Sequence, residues 1–480
     1  MFGPEKAGPA NALRVAVAGG GWAGCAAAVE LTRRGHHVTL FEAARSLGGR
    51  ARGVEVRGMA LDNGQHILLG AYRDCLRLMR QVGVDLDAAL LRLPVQMRYP
   101  SGGDGMDFAA PRLPAPLHLA VALLRAKGLG RKDKLALARL NSAAKWMGWQ
   151  LNDDCTVAEL LERFDQTPRL IRLMWRPLCI AALNTPPERA SANVFLAVLR
   201  DSLGARTRAA SDMLLPRLPM GALFPEPAGA WLERQGGALR LGVKVAAVNG
   251  ENEGWRLDLT GQAAGGAASE RFDAVVLATP AAQSATLLAS LPGMETLASQ
   301  LAGFDYEPIA TCYLQYPPGT RLDLPFYALE DDPANRRWGQ FVFDRARLDA
   351  GQDGLLAVVV SAAGEAGELS REALATAITA QLAQDFGRPE LASPGWTRVI
   401  TEKRATFSCT PALKRPDKAT GLPGLVLAGD YTASDYPATL ETAVRSGLAA
   451  ATAIRAYGAL PREKRSLSHS RGAAAGDSIQ

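Results

Sequence analysis

The sequence predicts an α/β fold centred on a parallel sheet, and three observations carry the prediction. A short apolar strand, Leu13 to Ala18, runs directly into Gly19-Gly20-Gly21-Trp22-Ala23-Gly24 and then a helical pattern. A second apolar strand, His37 to Phe41, ends on the acid Glu42 about 20 residues further on. Two more short apolar runs, Phe272 to Pro280 and Leu425 to Asp430, supply buried strands far along the chain.

Each element has a local reason. After the glycines, Ala26, Ala27, Val29 and Leu31 recur on a helical period, and Gly35 behind Arg33 and Arg34 makes a C-terminal cap with cations at the negative end of the dipole. The G-x-G-x-x-G divides its work: Gly19 allows the tight turn, Gly21 the close approach of a pyrophosphate, and Gly24 the packing of helix on sheet. The helix opened by Trp22 and Ala23 then faces its N-terminus toward the phosphates. Strand two delivers Glu42, with Ala43 after it, to a ribose. Strand, glycine turn, helix, strand and acid in register predict a Rossmann-like dinucleotide site.

The next segment, Arg45-Ser46-Leu47-Gly48-Gly49-Arg50-Ala51, gives two glycines whose amides can form a second phosphate cradle and a cation, Arg50, that can neutralise a diphosphate. It resembles the L-G-G-R segment that amine oxidases and carotenoid desaturases place against the pyrophosphate of FAD, which selects FAD over NAD. The resemblance implies cofactor contacts at Arg45, Gly48, Gly49, Arg50 and Ala51. It extends to Gly236-Gly237-Ala238-Leu239 with Val243 to Val248, where it implies a backbone contact at Val245 near the adenine. Gly429 and Asp430, near the ribityl chain, are followed by a closing helix that starts around Thr439 and Leu440.

Asp62-Asn63-Gly64-Gln65-His66 resembles the family's D-x-G-x-H stretch beside the flavin ring, implying that Gly64, Gln65 and His66 touch the cofactor. Taken with Gly429-Asp430-Tyr431-Thr432 and Tyr436-Pro437-Ala438-Thr439, residues of about 13 to 458 are similar to the squalene-associated FAD-dependent desaturases, the subgroup of the hydroxysqualene dehydroxylases. The implied fold is α/β with α+β character: a Rossmann-like FAD-binding domain of the amine oxidase/GDI-like type and an interleaved substrate domain. The FAD domain is expected from 13–90, 216–298 and 418–458. The substrate domain is expected from 91–215, mostly helical, and 299–417, supplying strands. Residues 459–480 are expected to be a disordered tail.

The implied reaction is reductive. An allylic hydroxyl leaves as water, and hydride from reduced flavin replaces it, as hydroxysqualene becomes squalene in squalene and hopanoid synthesis. Such a step needs a proton donor, and His66, backed by Asp62 or Tyr431, is the candidate; the alternative role for His66 is a hydrogen bond to the flavin edge. A carotenoid or phytoene-type desaturase running the opposite direction shares every cofactor motif. A non-enzymatic prenyl-binding escort shares the fold, and the intact glycines, Glu42 and Arg50 speak against it.

Composition narrows the partners. With 48% apolar and 21% charged residues over 480 positions, the chain reads as globular. No apolar run approaches the roughly 20 residues of a membrane span, and Met1 to Ala12 has no export signal, so a cytoplasmic protein is expected. Six scattered cysteines and five histidines predict neither disulfide nor metal site, and a net charge of +6 with few aromatics predicts no nucleic-acid groove. A long isoprenoid substrate lives in a bilayer. Between Pro111 and Leu140, Arg112, Arg125, Lys127, Arg131, Lys132, Lys134 and Arg139 stand against one acid, Asp133, interleaved with leucines and followed by Trp146 and Trp149. This predicts an interfacial helix on anionic lipid, peripheral on the inner membrane, with His118 at the interface.

Overall fold

The computed structural model describes residues 12–101, 104–205, 207–261, 268–460 and 465. Five strands, β1 (Arg14–Ala18), β2 (His37–Glu42), β3 (Ala238–Leu241), β4 (Ala274–Leu277) and β5 (Leu425–Leu427), form one parallel sheet in the order β3-β2-β1-β4-β5. Every residue of β4 and β5 is buried, as strands covered on both faces require. Sheet neighbours come from both ends and the middle of the chain.

Helix α1 (Trp22–Arg33) follows β1 directly and ends at Arg34 and a left-handed Gly35. Arg33 and Arg34 both pair with Glu30 on its last turns. The long C-terminal helix α2 (Leu440–Gly458) lies so close to α1 that a Cβ on Gly447 would stand 2.2 Å from the Ala23 carbonyl oxygen. Glycine there lets the two ends of the chain share one core.

A second, antiparallel sheet runs in the order 326–328, 341–344, 355–360, 306–315, 396–407. One face packs on the helix Arg371–Phe386, joining Ala310, Cys312 and Leu314 to Leu374, Ile378 and Leu382. Its other face joins the larger core shared with the helical stretch, where the buried Trp175 donates its indole N–H to Gln166 Oε1 at 2.9 Å. Helices dominate between 117 and 202, and the breaker at Asn184, left-handed at φ 49°, precedes the Ser191-capped helix Ala192–Ser202. The predicted tail falls outside the described residues except at 459, 460 and 465.

Two expectations for 111–140 are corrected. The segment is two helices, Leu117–Arg125 and Arg131–Trp146, rather than one. Lys127 exchanges backbone hydrogen bonds with Asp107 at 3.1 Å, and Gly128 is left-handed against the Gly105 carbonyl, so the chain is pinned to a neighbouring strand and cannot continue helically. His118 is not interfacial: it is fully buried and hydrogen-bonded through Nε2 to Ser211 Oγ at 2.9 Å. The short helix turns His118 and Ala122 inward and packs Leu119 and Leu123 against the core, while Leu117 and Leu124 face out.

Candidate active site

In the glycine turn after β1, packing demands glycine at 19 and 24 but not at 21. Gly19 has φ 107°, and a Cβ on it would lie 2.5 Å from the Ala278 carbonyl oxygen. A Cβ on Gly24 would lie 1.8 Å from the Gly19 oxygen. Gly21 differs, because a Cβ there meets nothing nearer than Gly49 Cα at 3.9 Å. The protein needs no glycine at 21 for its own packing, and the position is left free for a ligand to approach the backbone. Gly21 caps α1, whose first turn holds no acid, so the free amides of Trp22 and Ala23 open onto that space. The Trp22 side chain itself is buried and packs on Phe224, ring centroids 5.3 Å apart.

The second glycine turn docks on the first. Gly48 donates its N–H to the Gly20 oxygen at 2.9 Å and bridges Gly21, while Gly49, at φ 61°, faces Gly21. Any side chain on Gly49 would project into the cleft between the two turns. Ala51 is buried beneath, whereas Ala43 and Arg45 are exposed on the loop leaving β2. Glu42 ends β2 with its carboxylate held by the amides of Gly20 at 2.7 Å and Ala44 at 2.8 Å. Beside it the chain starts a three-stranded antiparallel sheet, Val243 donating to the Glu42 carbonyl, and a bulge between Val245 and Ala247 interrupts that sheet's pairing.

Arg50 and Asp430, both predicted cofactor residues, meet. Arg50 Nη2 lies 2.6 Å from Asp430 Oδ1 and Nη1 donates to the Ala405 carbonyl. Arg415 holds the following loop by donating to the backbone oxygens of Asp430, Ser434 and Tyr436. Gly429 donates its N–H to Ser446 Oγ of α2, and Thr439 caps that helix by accepting from Thr442. Leu440 is the first helical residue.

The D-x-G-x-H stretch faces the antiparallel sheet. Among the described residues no hydrogen bond joins His66 to Asp62 or Tyr431, and these two have other partners. Asp62 is buried, accepts from the Met220 amide at 2.8 Å, and has its pKa pushed up to about 6 by burial, against the pull of that N–H and of Arg345. The Tyr431 hydroxyl shares a hydrogen bond with Ser284 Oγ at 3.1 Å, and burial raises its pKa. His66 keeps an edge at the surface, yet the protein around its ring lowers its pKa to about 4, so it is neutral at physiological pH. As a proton donor it offers an imidazole N–H, not an imidazolium.

Behind it lies a network that sequence reasoning missed. Gln65 Nε2 donates to the Tyr313 hydroxyl at 2.8 Å, and that hydroxyl donates to the Asp62 carbonyl at 2.8 Å. Arg345, 3% exposed, donates to Gln65 Oε1 at 2.7 Å and Gln352 Oε1 at 2.8 Å. Thr311 is fully buried beside this network. The available signal was the alternation of the strand Tyr306–Gln315, which puts Thr311 and Tyr313 on one face; no motif marks Arg345.

Residues 22–455 match the family described as Flavin containing amine oxidoreductase. The hydroxysqualene dehydroxylase of Rhodopseudomonas palustris is 30% identical over 92% of this chain and 99% of its own. The zeta-carotene desaturase of a Synechocystis strain is 26% identical over 92% of this chain and 97% of its own. Among solved structures, cyclohexylamine oxidase from Brevibacterium oxydans superposes with a TM-score of 0.65 at 18% identity, covering 92% of this chain and 98% of that one, a likeness of fold. The two docked glycine turns, with the helix amides of α1 and the anchored Glu42 carboxylate at the end of β2, fit a flavin dinucleotide. The chain belongs to the flavin containing amine oxidoreductases, and its cofactor is FAD.

Proposed function

We propose that this oxidoreductase converts hydroxysqualene to squalene by reductive dehydroxylation. The reading is carried by the near-full-length likeness to the Rhodopseudomonas palustris hydroxysqualene dehydroxylase, which reaches both halves of the chain and not the dinucleotide motif alone. When bound, FAD in its reduced form supplies the hydride that takes the place of the departing hydroxyl. Gly19, Gly21, Trp22, Ala23, Gly24, Gly48 and Gly49 present backbone to the pyrophosphate, with Arg50, locked on Asp430, as the nearby cation. Glu42 meets the ribose, Val245 the adenine, and Gly64 to His66, with Thr439 and Leu440, surround the ring. Gln65 is held by Tyr313 and Arg345, so this segment presents one fixed surface to the reacting carbon.

The isoprenoid is taken from an anionic membrane surface, on the cytoplasmic side of the inner membrane. Among the described residues no helix is long and apolar enough to cross a bilayer. On the helices Leu117–Arg125 and Arg131–Trp146, however, Leu117, Leu124, Leu135 and Trp146 are 57%, 73%, 68% and 90% exposed. Arg112, Arg125, Lys127, Arg131 and Lys132 are exposed with them. The one acid, Asp133, is buried, accepting from the Gly130 amide and the Thr167 hydroxyl. Exposed apolar side chains on the same helices as cations with no ion-pair partner among the described residues match a headgroup layer.

The competing reading, a carotene desaturase, draws on the Synechocystis relative. A single turnover separates them. Photoreduced enzyme, anaerobic and without NAD(P)H, is expected to yield squalene from hydroxysqualene in proportion to the flavin reoxidised. No squalene from reduced enzyme, or a desaturated product from oxidised enzyme and a carotene, rejects the reductive reading.

A further inference from the structure

Strand Tyr306–Gln315 crosses the middle of the antiparallel sheet, paired on both sides. Its residues alternate: Ala310, Cys312 and Leu314 enter the core under the helix Arg371–Phe386, and Thr311 and Tyr313 point the other way. Tyr313 spends its hydroxyl on Gln65 and Asp62. Thr311, 0% exposed, has no hydrogen-bond partner for Oγ1 among the described residues. A buried hydroxyl is normally satisfied, so one left over at a site asks for a partner. The position of that hydroxyl supplies a second observation. A Cβ built on Gly64 would find His66 Nε2 and Thr311 Oγ1 each 4.0 Å away and nothing nearer. His66 Nε2 and Thr311 Oγ1 therefore both border the space in front of Gly64.

We propose that Thr311 binds the hydroxyl group of the substrate, with His66 bordering the same space. The inference rests on the dehydroxylase reading, because an isoprenoid alcohol has an oxygen to offer there and a carotene hydrocarbon has none. Gly64 keeps the space open. A site built around a hydroxyl also disfavours the product, which lacks it, so the pair favours release of squalene.

The test is a binding titration of the oxidised holoenzyme, which cannot turn over, with hydroxysqualene and with squalene in the same micelles, read by flavin absorbance. Wild type is expected to bind the alcohol more tightly than the hydrocarbon. Thr311→Val should weaken hydroxysqualene about 3- to 10-fold, the range of one neutral hydrogen bond, and leave squalene unchanged. Thr311→Ser should keep the preference. Flavin content and melting temperature should not fall in the valine variant, since replacing an unpartnered hydroxyl by a methyl of like shape leaves nothing unsatisfied; Thr311→Ala serves if valine does not fold. Identical alcohol and hydrocarbon affinities in the valine variant and wild type, while photoreduced wild type still yields squalene, overturn the role of Thr311 alone. A wild type that yields no squalene and shows no preference for the alcohol overturns the dehydroxylase reading and this inference with it.

Discussion

The two walls of the site are built by opposite means. The glycine wall is backbone: two glycine turns and a helix end, with the Glu42 carboxylate held on the Gly20 amide and Gly21 and Gly48 bridged directly. The facing wall is side chains, and its bonds join Gln65 to Tyr313 and Arg345 across 248 and 280 residues. A wall of backbone must be glycine where the ligand comes closest, and that requirement is written locally. A wall of side chains requires only that distant residues arrive together, which the sheet and not the local sequence arranges. In the first wall an added atom is a clash at Gly19 and Gly24 and an obstacle to a ligand at Gly21, whereas the second tolerates substitution at the cost of position.

The largest expected effect follows from the difference between two glycines of one turn. Gly21→Glu should purify folded but without FAD, because its Cβ has room in the protein and its carboxylate occupies the place of the phosphates. Gly24→Val should instead fail to fold, since its Cβ would lie 1.8 Å from a backbone oxygen that cannot move without breaking the turn. Flavin absorbance of the purified proteins and their circular dichroism distinguish the two. A Gly21→Glu protein with full flavin occupancy would remove the claim that this wall is made for a phosphate.

The same contrast explains what the sequence could and could not tell. The central sheet was legible because β1, α1 and β2 carry turn, cap and period within 30 residues of each other, as about a 30-residue βαβ unit does. The strand before Gly429 was legible as a short apolar run, whereas Asp430 and the start of α2 at Leu440 were marked by the resemblance to the FAD family. The break at Gly128 was not legible, since a hydrophobic period reads straight through it and the pairing of Lys127 with Asp107, with Gly128 left-handed beside it, stops the helix. His118 was misplaced because a histidine among leucines and cations looks interfacial, while the turn of a nine-residue helix points it at Ser211. Thr311 and Arg345 had no motif to announce them. The Arg50–Asp430 pair was half legible: both residues were marked by motifs, and their mutual contact across 380 residues was not.

A smaller effect, on a third surface, extends the comparison from a site to a face. Replacing Arg125, Lys127, Arg131 and Lys132 with Gln should lower affinity for anionic vesicles by up to about 4 kcal/mol, at about 1 kcal/mol per cation near the surface. Lys134 is left in place because its Nζ donates to the Leu124 carbonyl and supports the helix end. Flavin content should not change, as these residues lie away from both walls. Co-sedimentation with vesicles with and without anionic lipid measures it, and equal sedimentation of variant and wild type would make this face an ordinary solvated one.

The smallest expected effect sets the two walls against each other through acid. Burial lowers the His66 pKa to about 4 from its usual 6.5, so between those values the unfolded chain takes the proton and the folded chain does not. Stability from this group is full above about 6.5 and is lost as pH falls toward 4. Burial raises Asp62 to about 6 from its usual 3.8, which reverses the sign: the folded chain holds that proton better, and the contribution is lost as pH rises through about 6. Over most of the interval the two nearly cancel, and the facing wall as a whole hides its titration. Removing one partner should expose the other. In flavin-free protein, His66→Gln should gain roughly 2 kcal/mol relative to wild type on going from pH 7 to pH 5, where the unfolded chain's histidine is mostly protonated. Asp62→Asn should move the opposite way, losing relative to wild type as the pH falls. Urea midpoints at the two pH values read both shifts. Parallel pH profiles for wild type, His66→Gln and Asp62→Asn would mean that water reaches this wall freely, and that its polar groups are not held in the desolvated state that makes an unpartnered hydroxyl worth pairing.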